Sequence, residues 1–149
     1  MDISFVLCLP REEASVPVVR HICDDALQVL GVAQECIDAI ALAVTEACTN
    51  VLDHASSHDQ EYEVQVQISN EQCDIRVTDA GGGFDPAAAT KKVSEPSDES
   101  GRGILLMSAL VDELRFVSKP ESGTIVHLEK RLHLNEDSVL NQLSPTSGS

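Results

Sequence analysis

Apolar and polar residues alternate strictly in EYEVQVQIS, residues 61–69. Such alternation is typical of a strand with one buried and one solvated face, because successive side chains point to opposite sides. After a turn at Asn70, the segment CDIRVTD, residues 73–79, forms a partner strand. The pair predicts an antiparallel sheet with one wet face, so the other face must be covered.

Two helical segments precede this hairpin and can supply the cover. Apolar residues recur at helical spacing from Val18 to Leu30, and again from about Gln34 to His54, with Gly31 between the two segments. A short strand comes before them, and a glycine-containing helix and a final hairpin follow. Helices grouped before antiparallel strands predict an α+β fold, a two-layer sandwich with a mostly antiparallel sheet and helices on one face.

The length of 149 residues is that of one domain. We expect this domain to occupy residues 1–134. From Asn135 the sequence reads NEDSVLNQLSPTSGS, which is polar and ends in Ser, Pro, Thr and Gly. Residues 135–149 are therefore expected to be a disordered tail.

The charge balance restricts the partners. With 10 Lys and Arg against 25 Asp and Glu, the net charge is −15, which argues against nucleic acid or an anionic membrane as a partner. No apolar run approaches the roughly 18 residues of a membrane span, and MDISFVLCLPREE lacks the basic start of a secretory signal. Five cysteines without a CxxC pair indicate buried, reduced thiols in a cytoplasmic protein.

The long second helix carries the first polar constellation. Glu46 and Asn50 are one turn apart and lie off the apolar stripe. Their oxygens could hold a hard cation such as Mg²⁺, and the carboxylate could activate a hydroxyl. Taken alone, however, this pair is better explained as a solvated helix face.

The second constellation is DAGGGFDP, residues 79–86. Asp79 ends a strand with its carboxylate ready to accept hydrogen bonds, while Gly81 and Gly83 lack the Cβ atoms that would block a ligand. A planar base with an amino donor would suit this geometry. A long glycine turn explains the loop about equally well.

The third constellation is ESGRGILLMSAL, where Gly101 and Gly103 come immediately before a helix. Free backbone N–H groups and the helix dipole make such a position an anion site, to which Arg102 would add a charge. No Lys-Ser or Lys-Thr follows the glycines, so this is not a Walker loop. A G-x-G pair alone is a weak signal, but the three constellations in this order form a strong composite.

In that order the constellations resemble the three boxes of the GHKL, or Bergerat-fold, ATPase superfamily. TEACTNVLDHA is similar to its N-box, DAGGGFDP to its G1 box and SGRGILLMSALVDEL to its G2 box. The resemblance runs from about Ile3 to Leu132. Within the superfamily, the chain resembles the small stand-alone anti-sigma factor serine kinases of the RsbW and SpoIIAB type. This narrower resemblance depends on the chain length and on the lack of any added domain.

The resemblance implies an ATP and Mg²⁺ site and a role for each matching residue. Glu46 matches the general base and Asn50 the magnesium ligand. Asp79 matches the acceptor for the adenine amino group, and Thr124 is similar to the threonine near the base. The remaining matches are the glycines beside the adenine and the phosphate-side loop, namely Gly81, Gly83, Gly101, Arg102 and Gly103.

One position departs from the pattern. Several relatives carry Lys or Arg three residues after the N-box Asn, whereas this chain has Asp53. A carboxylate near the phosphates would repel them unless it points away or helps to hold the metal. The departure concerns the expected rate of catalysis and not the fold.

The implied function is phosphorylation of a STAS-type anti-anti-sigma partner, with sequestration of a sigma factor in a partner-switching cycle and with homodimer formation. The alternative is a non-catalytic, nucleotide-gated binding module with a different protein target. A third interpretation, the catalytic domain of a histidine kinase, is disfavoured because no dimerisation helices with a phosphoacceptor His precede the domain. His21 is expected to be an ordinary surface histidine.

Overall fold

The computed structural model describes residues 2–54, 61–79, 99–119 and 123–140. Gly81 and Gly83 lie outside these ranges, as do residues 87–98 of the segment 87–100, which the resemblance matches to the family's lid. Five strands and three helices make up the described chain, in the order β1 Ile3–Pro10, α1 Ser15–Val29, α2 Gln34–His54, β2 Glu61–Ile68, β3 Gln72–Thr78, α3 Glu99–Leu110, β4 Glu113–Lys119 and β5 Gly123–Arg131.

The strands form one antiparallel sheet in the order β1-β2-β3-β5-β4. Val64 pairs with Val77 in its centre, and both side chains are fully buried. Gln65 and Gln67 on the opposite face are exposed. The alternation of residues 61–69 therefore corresponds to one buried and one solvated face, as predicted, because a period of two places all the apolar side chains on one face.

The helices cover the apolar face of the sheet and form the second layer. The apolar stripe of α2 is buried from Ile37 to Val51, and both α1 and α3 pack against this helix. Burying these aliphatic side chains is the main favourable contribution to folding. The α+β sandwich predicted from the order of elements is confirmed.

Four of the five cysteines are buried free thiols, and Cys8 on β1 is exposed. Burial raises the pKa of Cys23 and of Cys48 to about 12, since removal from water disfavours the thiolate. These thiols are therefore unreactive near neutral pH. Among the described residues no helix is long and apolar enough to cross a membrane.

The end of the described chain differs from the expected disordered tail. Residues 135–140 return to the turn between α1 and α2, where the Asn135 N–H donates to the Gly31 carbonyl at 2.8 Å. The Ser138 hydroxyl donates to the Leu30 carbonyl, and Ser138 and Leu140 are both buried. The prediction is wrong for these residues, because the polar composition of the segment does not show that Ser138 and Leu140 have specific contacts in the fold. Residues 141–149 lie outside the described ranges.

Replacing Gly31 with Ala should destabilise this corner. Gly31 has a φ of +78°, and a Cβ there would lie 2.8 Å from Cα of Ser138. The left-handed backbone and the crowding against main chain together predict a loss of about 2–4 kcal/mol in the free energy of unfolding, measurable by urea denaturation. Gly31→Asn is the matched control, because Asn tolerates positive φ but brings the same crowding. A change of less than about 0.5 kcal/mol for Gly31→Ala, within the usual range of surface substitutions, would contradict the contact.

Candidate functional site

Asp79 and Thr124 form a buried pair where β3 ends and β5 begins. The Thr124 backbone N–H donates to Oδ1 of Asp79 at 2.7 Å, and the Asp79 N–H donates to the Thr124 carbonyl at 3.2 Å. Only 2 % of Asp79 and 1 % of Thr124 is exposed. The sheet register thus fixes one oxygen of this carboxylate by main-chain contacts alone.

The second carboxylate oxygen of Asp79 has a different environment. Oδ2 is buried and accepts no hydrogen bond from the described part of the chain. Leaving a buried acceptor unsatisfied costs about 1–3 kcal/mol, and such an exception calls for an explanation. A ligand N–H directed at Oδ2 would satisfy it.

Glu46 and Asn50 meet α3 at Gly103. A Cβ added to Gly103 would lie 2.8 Å from Oε2 of Glu46 and 3.4 Å from Nδ2 of Asn50. Asn50 is only 5 % exposed and Glu46 is half-buried. A solvated helix face therefore does not describe this pair, since both side chains pack against the backbone of a neighbouring helix. A Cβ at position 103 would displace the Glu46 carboxylate from its present position, so glycine permits this close approach.

The two groups of residues lie at the same end of the sandwich. At the other end, Cys36 near the start of α2 contacts the carbonyl of Arg131, the last residue of β5. From Cys36 to Asn50 the helix rises about 21 Å, and from Arg131 back to Thr124 the strand spans about 24 Å. Because α2 packs on β5, the Glu46–Asn50 turn lies above the end of the sheet that carries Asp79 and Thr124.

The start of α3 differs from the prediction. The glycines were expected immediately before the helix, but α3 begins at Glu99, so Gly101, Arg102 and Gly103 lie within its first two turns. The N–H groups of Gly101 and Arg102 remain among the first four, which have no acceptor within a helix. The side chain of Arg102 lies outside the described part of the structure.

Asp53 is exposed and faces the connection between β1 and α1. It lines a cleft of about 350 Å³ with Arg11, Glu13 and Thr49 among others. The Arg11 guanidinium also donates to the Leu52 carbonyl at 3.3 Å. The cleft thus holds two carboxylates and one guanidinium, so Arg11 offsets the charge of only one of the two carboxylates.

The donor set limits the chemistry of the site. In the described ranges, no three His, Cys, Asp or Glu residues form a cluster able to hold a metal. Glu46 and Asn50 offer three side-chain oxygens, so a hard cation there would need further oxygens from a ligand, as Mg²⁺ commonly has from phosphates. Together with the unsatisfied oxygen of Asp79, this fits a ligand that has an N–H donor and oxygen donors of its own.

The chain belongs to the family of histidine kinase-like ATPase domains, whose model matches residues 9–130. Curated relatives are of the RsbW type. The chain is 30 % identical to serine-protein kinase RsbW of Bacillus velezensis, over 84 % of this chain and 83 % of that protein. It is 29 % identical to RsbW of Halalkalibacterium halodurans, over 94 % and 91 % of the two chains. The resemblance drawn from the three boxes is confirmed.

A solved structure supports the fold independently. The chain superimposes on a crystal structure of the RsbU and RsbW domains of a Mycobacterium tuberculosis protein with a TM-score of 0.66. The match covers 87 % of this chain and 32 % of that one, at 20 % sequence identity. At this identity the likeness concerns the fold alone, and it agrees with the two-layer sandwich.

Proposed function

We propose that the chain is an ATP-dependent serine/threonine protein kinase that phosphorylates a STAS-type anti-anti-sigma protein. The observation that carries the proposal is the buried Oδ2 of Asp79, which lacks a donor among the described residues. An adenine amino group supplies such a donor. Membership of the ATPase family and the relatives named serine-protein kinase RsbW support the same reaction.

ATP fits the two sides of the site in different ways. Asp79 accepts the hydrogen bond from the base, with Thr124 holding the carboxylate in place. Gly81 and Gly83 are proposed to lie beside the adenine, and Gly101, Arg102 and Gly103 to lie on the phosphate side. A chain with a net charge of −15 repels phosphate at long range, so local N–H donors and a cation must hold the triphosphate.

Asn50 is the proposed protein ligand for Mg²⁺, with the remaining ligands from phosphate oxygens and water. Bound Mg²⁺ would neutralise charge on the β- and γ-phosphates during transfer. Glu46 is the proposed general base. It accepts the proton of the attacking hydroxyl as the bond from that oxygen to the γ-phosphorus forms and the bond to the ADP leaving group breaks.

Further roles follow from the same family likeness. We propose that the chain also sequesters a sigma factor and exchanges it for the STAS protein according to nucleotide and phosphorylation state, in the cytoplasm. We further propose a homodimer that involves β1, since β1 is an edge strand of the sheet and Val6 on its outward face is 54 % exposed. Edge strands readily pair with another chain.

Two measurements test the proposal. Calorimetry should detect binding of ATP in the presence of Mg²⁺, and incubation with a STAS-domain protein from the native host should place a phosphate on one Ser or Thr, located by mass spectrometry. A mixture without ATP is the control. ATP binding without any transfer would favour the nucleotide-gated module, and neither binding nor a rise in melting temperature would refute the ATP site itself.

A further inference from the structure

The outer face of α3 is apolar. Residues 103–111, GILLMSALV, contain no charged residue in a chain that is 23 % charged. Ile104 and Met107 point into the core, whereas 57 % of Leu105 and 40 % of Leu106 is exposed. Two adjacent leucines with this exposure, in a stretch of helix without charged residues, are unusual for a surface that meets only water.

The direction of α3 brings a third leucine beside this face. Asp112, just after α3, hydrogen bonds to Glu129 and Arg131 at the end of β5, which is the end of the sandwich where α2 begins. The start of α3 lies against Glu46. The two helices are therefore antiparallel, and one turn from the Gly103–Glu46 contact brings Leu106 on α3 level with Leu42 on α2.

Leu42 is 52 % exposed. We call Leu42, Leu105 and Leu106 the leucine patch. Leu42 lies one helical turn before Glu46 on the same side of α2, so the patch is continuous with the proposed general base. A protein that presents a hydroxyl to Glu46 would meet this surface beside that carboxylate.

The rim of the patch on α2 is acidic. Asp38 and Glu46 lie one turn to either side of Leu42, and α2 contains no Lys or Arg. An apolar centre with a charged rim is the usual composition of a specific protein interface. A second copy of this acidic chain would bring like charges together at this rim, which opposes self-association there.

We propose that the leucine patch is the docking surface for the protein that carries the phosphorylated Ser or Thr, through an apolar area with basic residues around it. The inference rests on the proposed kinase function and specifies where its substrate binds. Apolar contact with the patch positions the hydroxyl at Glu46, and the acidic rim attracts the basic rim of the partner. The patch takes no part in binding the nucleotide.

The test compares Leu42→Ser and Leu106→Ser with Val29→Ser, a control on α1 whose side chain is 75 % exposed. The substrate is the STAS-domain protein phosphorylated by the wild-type chain. Each patch variant should raise KM for this protein about tenfold, which is the loss of one interface contact of about 1.4 kcal/mol. The values of kcat and of Kd for ATP should not change, and Val29→Ser should behave like the wild type.

The rim gives a second readout. The wild-type KM should rise with salt, because screening weakens attraction between exposed charges. An unchanged KM in the double variant Leu42→Ser, Leu106→Ser, while wild-type transfer proceeds, would overturn the docking surface and leave the kinase function standing. Loss of self-association in that variant, with KM unchanged, would assign the patch to a second copy and also overturn it. No transfer by the wild type would refute the function, and the inference with it.

Discussion

Glu46→Gln is expected to lower kcat for phosphoryl transfer by about 100- to 10,000-fold, the usual contribution of a general base. Gln has the shape of Glu and fits against Gly103 in the same way, but its amide cannot accept the proton of the attacking hydroxyl. Nucleotide affinity should change little, since Asp79 and the phosphate-side donors are unaffected. Initial rates at saturating ATP, together with calorimetry, measure both quantities.

Glu35→Gln is the matched control for this experiment. Glu35 lies in the first turn of the same helix, is exposed, and is far from Gly103, so the variant removes the same charge without touching the site. A Glu46→Gln protein that transfers phosphate at the wild-type rate would show that this carboxylate is not the base. A fall in ATP affinity equal to the fall in rate would instead assign Glu46 to binding.

Asp79→Asn is expected to weaken ATP binding by about 10- to 100-fold. Hydrogen bonds to a charged group contribute about 1.5–3 kcal/mol, and each 1.4 kcal/mol corresponds to a factor of ten. The Asn oxygen can still accept from the Thr124 N–H, but its NH₂ group would face the amino group of adenine, donor against donor. Calorimetric titration with ATP and Mg²⁺ measures the loss.

Inosine triphosphate makes the experiment specific, because its base has no amino group at the position that Asp79 is proposed to recognise. The wild-type chain should bind ATP more tightly than inosine triphosphate, and Asp79→Asn should remove most of that preference. Asp74→Asn, on the outward face of β3, is the control. Equal affinities of the wild-type chain for the two nucleotides would refute the role of Asp79.

The sheet and the helical layer followed from the sequence because their signals are local. A period of two in residues 61–69 and a period of 3.6 in α1 and α2 each assign one face to the core, and tertiary packing agreed with both. The site residues were found in the same way only in part. The spacing of Glu46 and Asn50 identifies them as a pair, although the spacing alone favours a solvated helix face. Their assignment to a nucleotide site depends on the order of the three boxes.

Contacts between distant segments could not be predicted. The hydrogen bond to Asp79 comes from the backbone of Thr124, and a main-chain donor leaves no trace in residue type. The fit of Gly103 against Glu46 depends on how closely α2 and α3 pack. Likewise, Ser138 contacts the corner at Gly31 across more than a hundred residues of sequence, and Leu140 enters the core. The composition of their own segment contains no sign of these contacts and indicates disorder.

The candidate site draws its residues from α2, the end of β3, the start of α3 and β5, which come together only in the finished fold. A partly unfolded chain therefore has no fragment able to retain the ligand. A nucleotide that binds only the native state, at one hundred times its dissociation constant, raises the free energy of unfolding by about 2.7 kcal/mol. Cells rich in ATP would then keep this small protein folded with the same molecule that it consumes, and depletion of ATP would weaken its structure together with its activity.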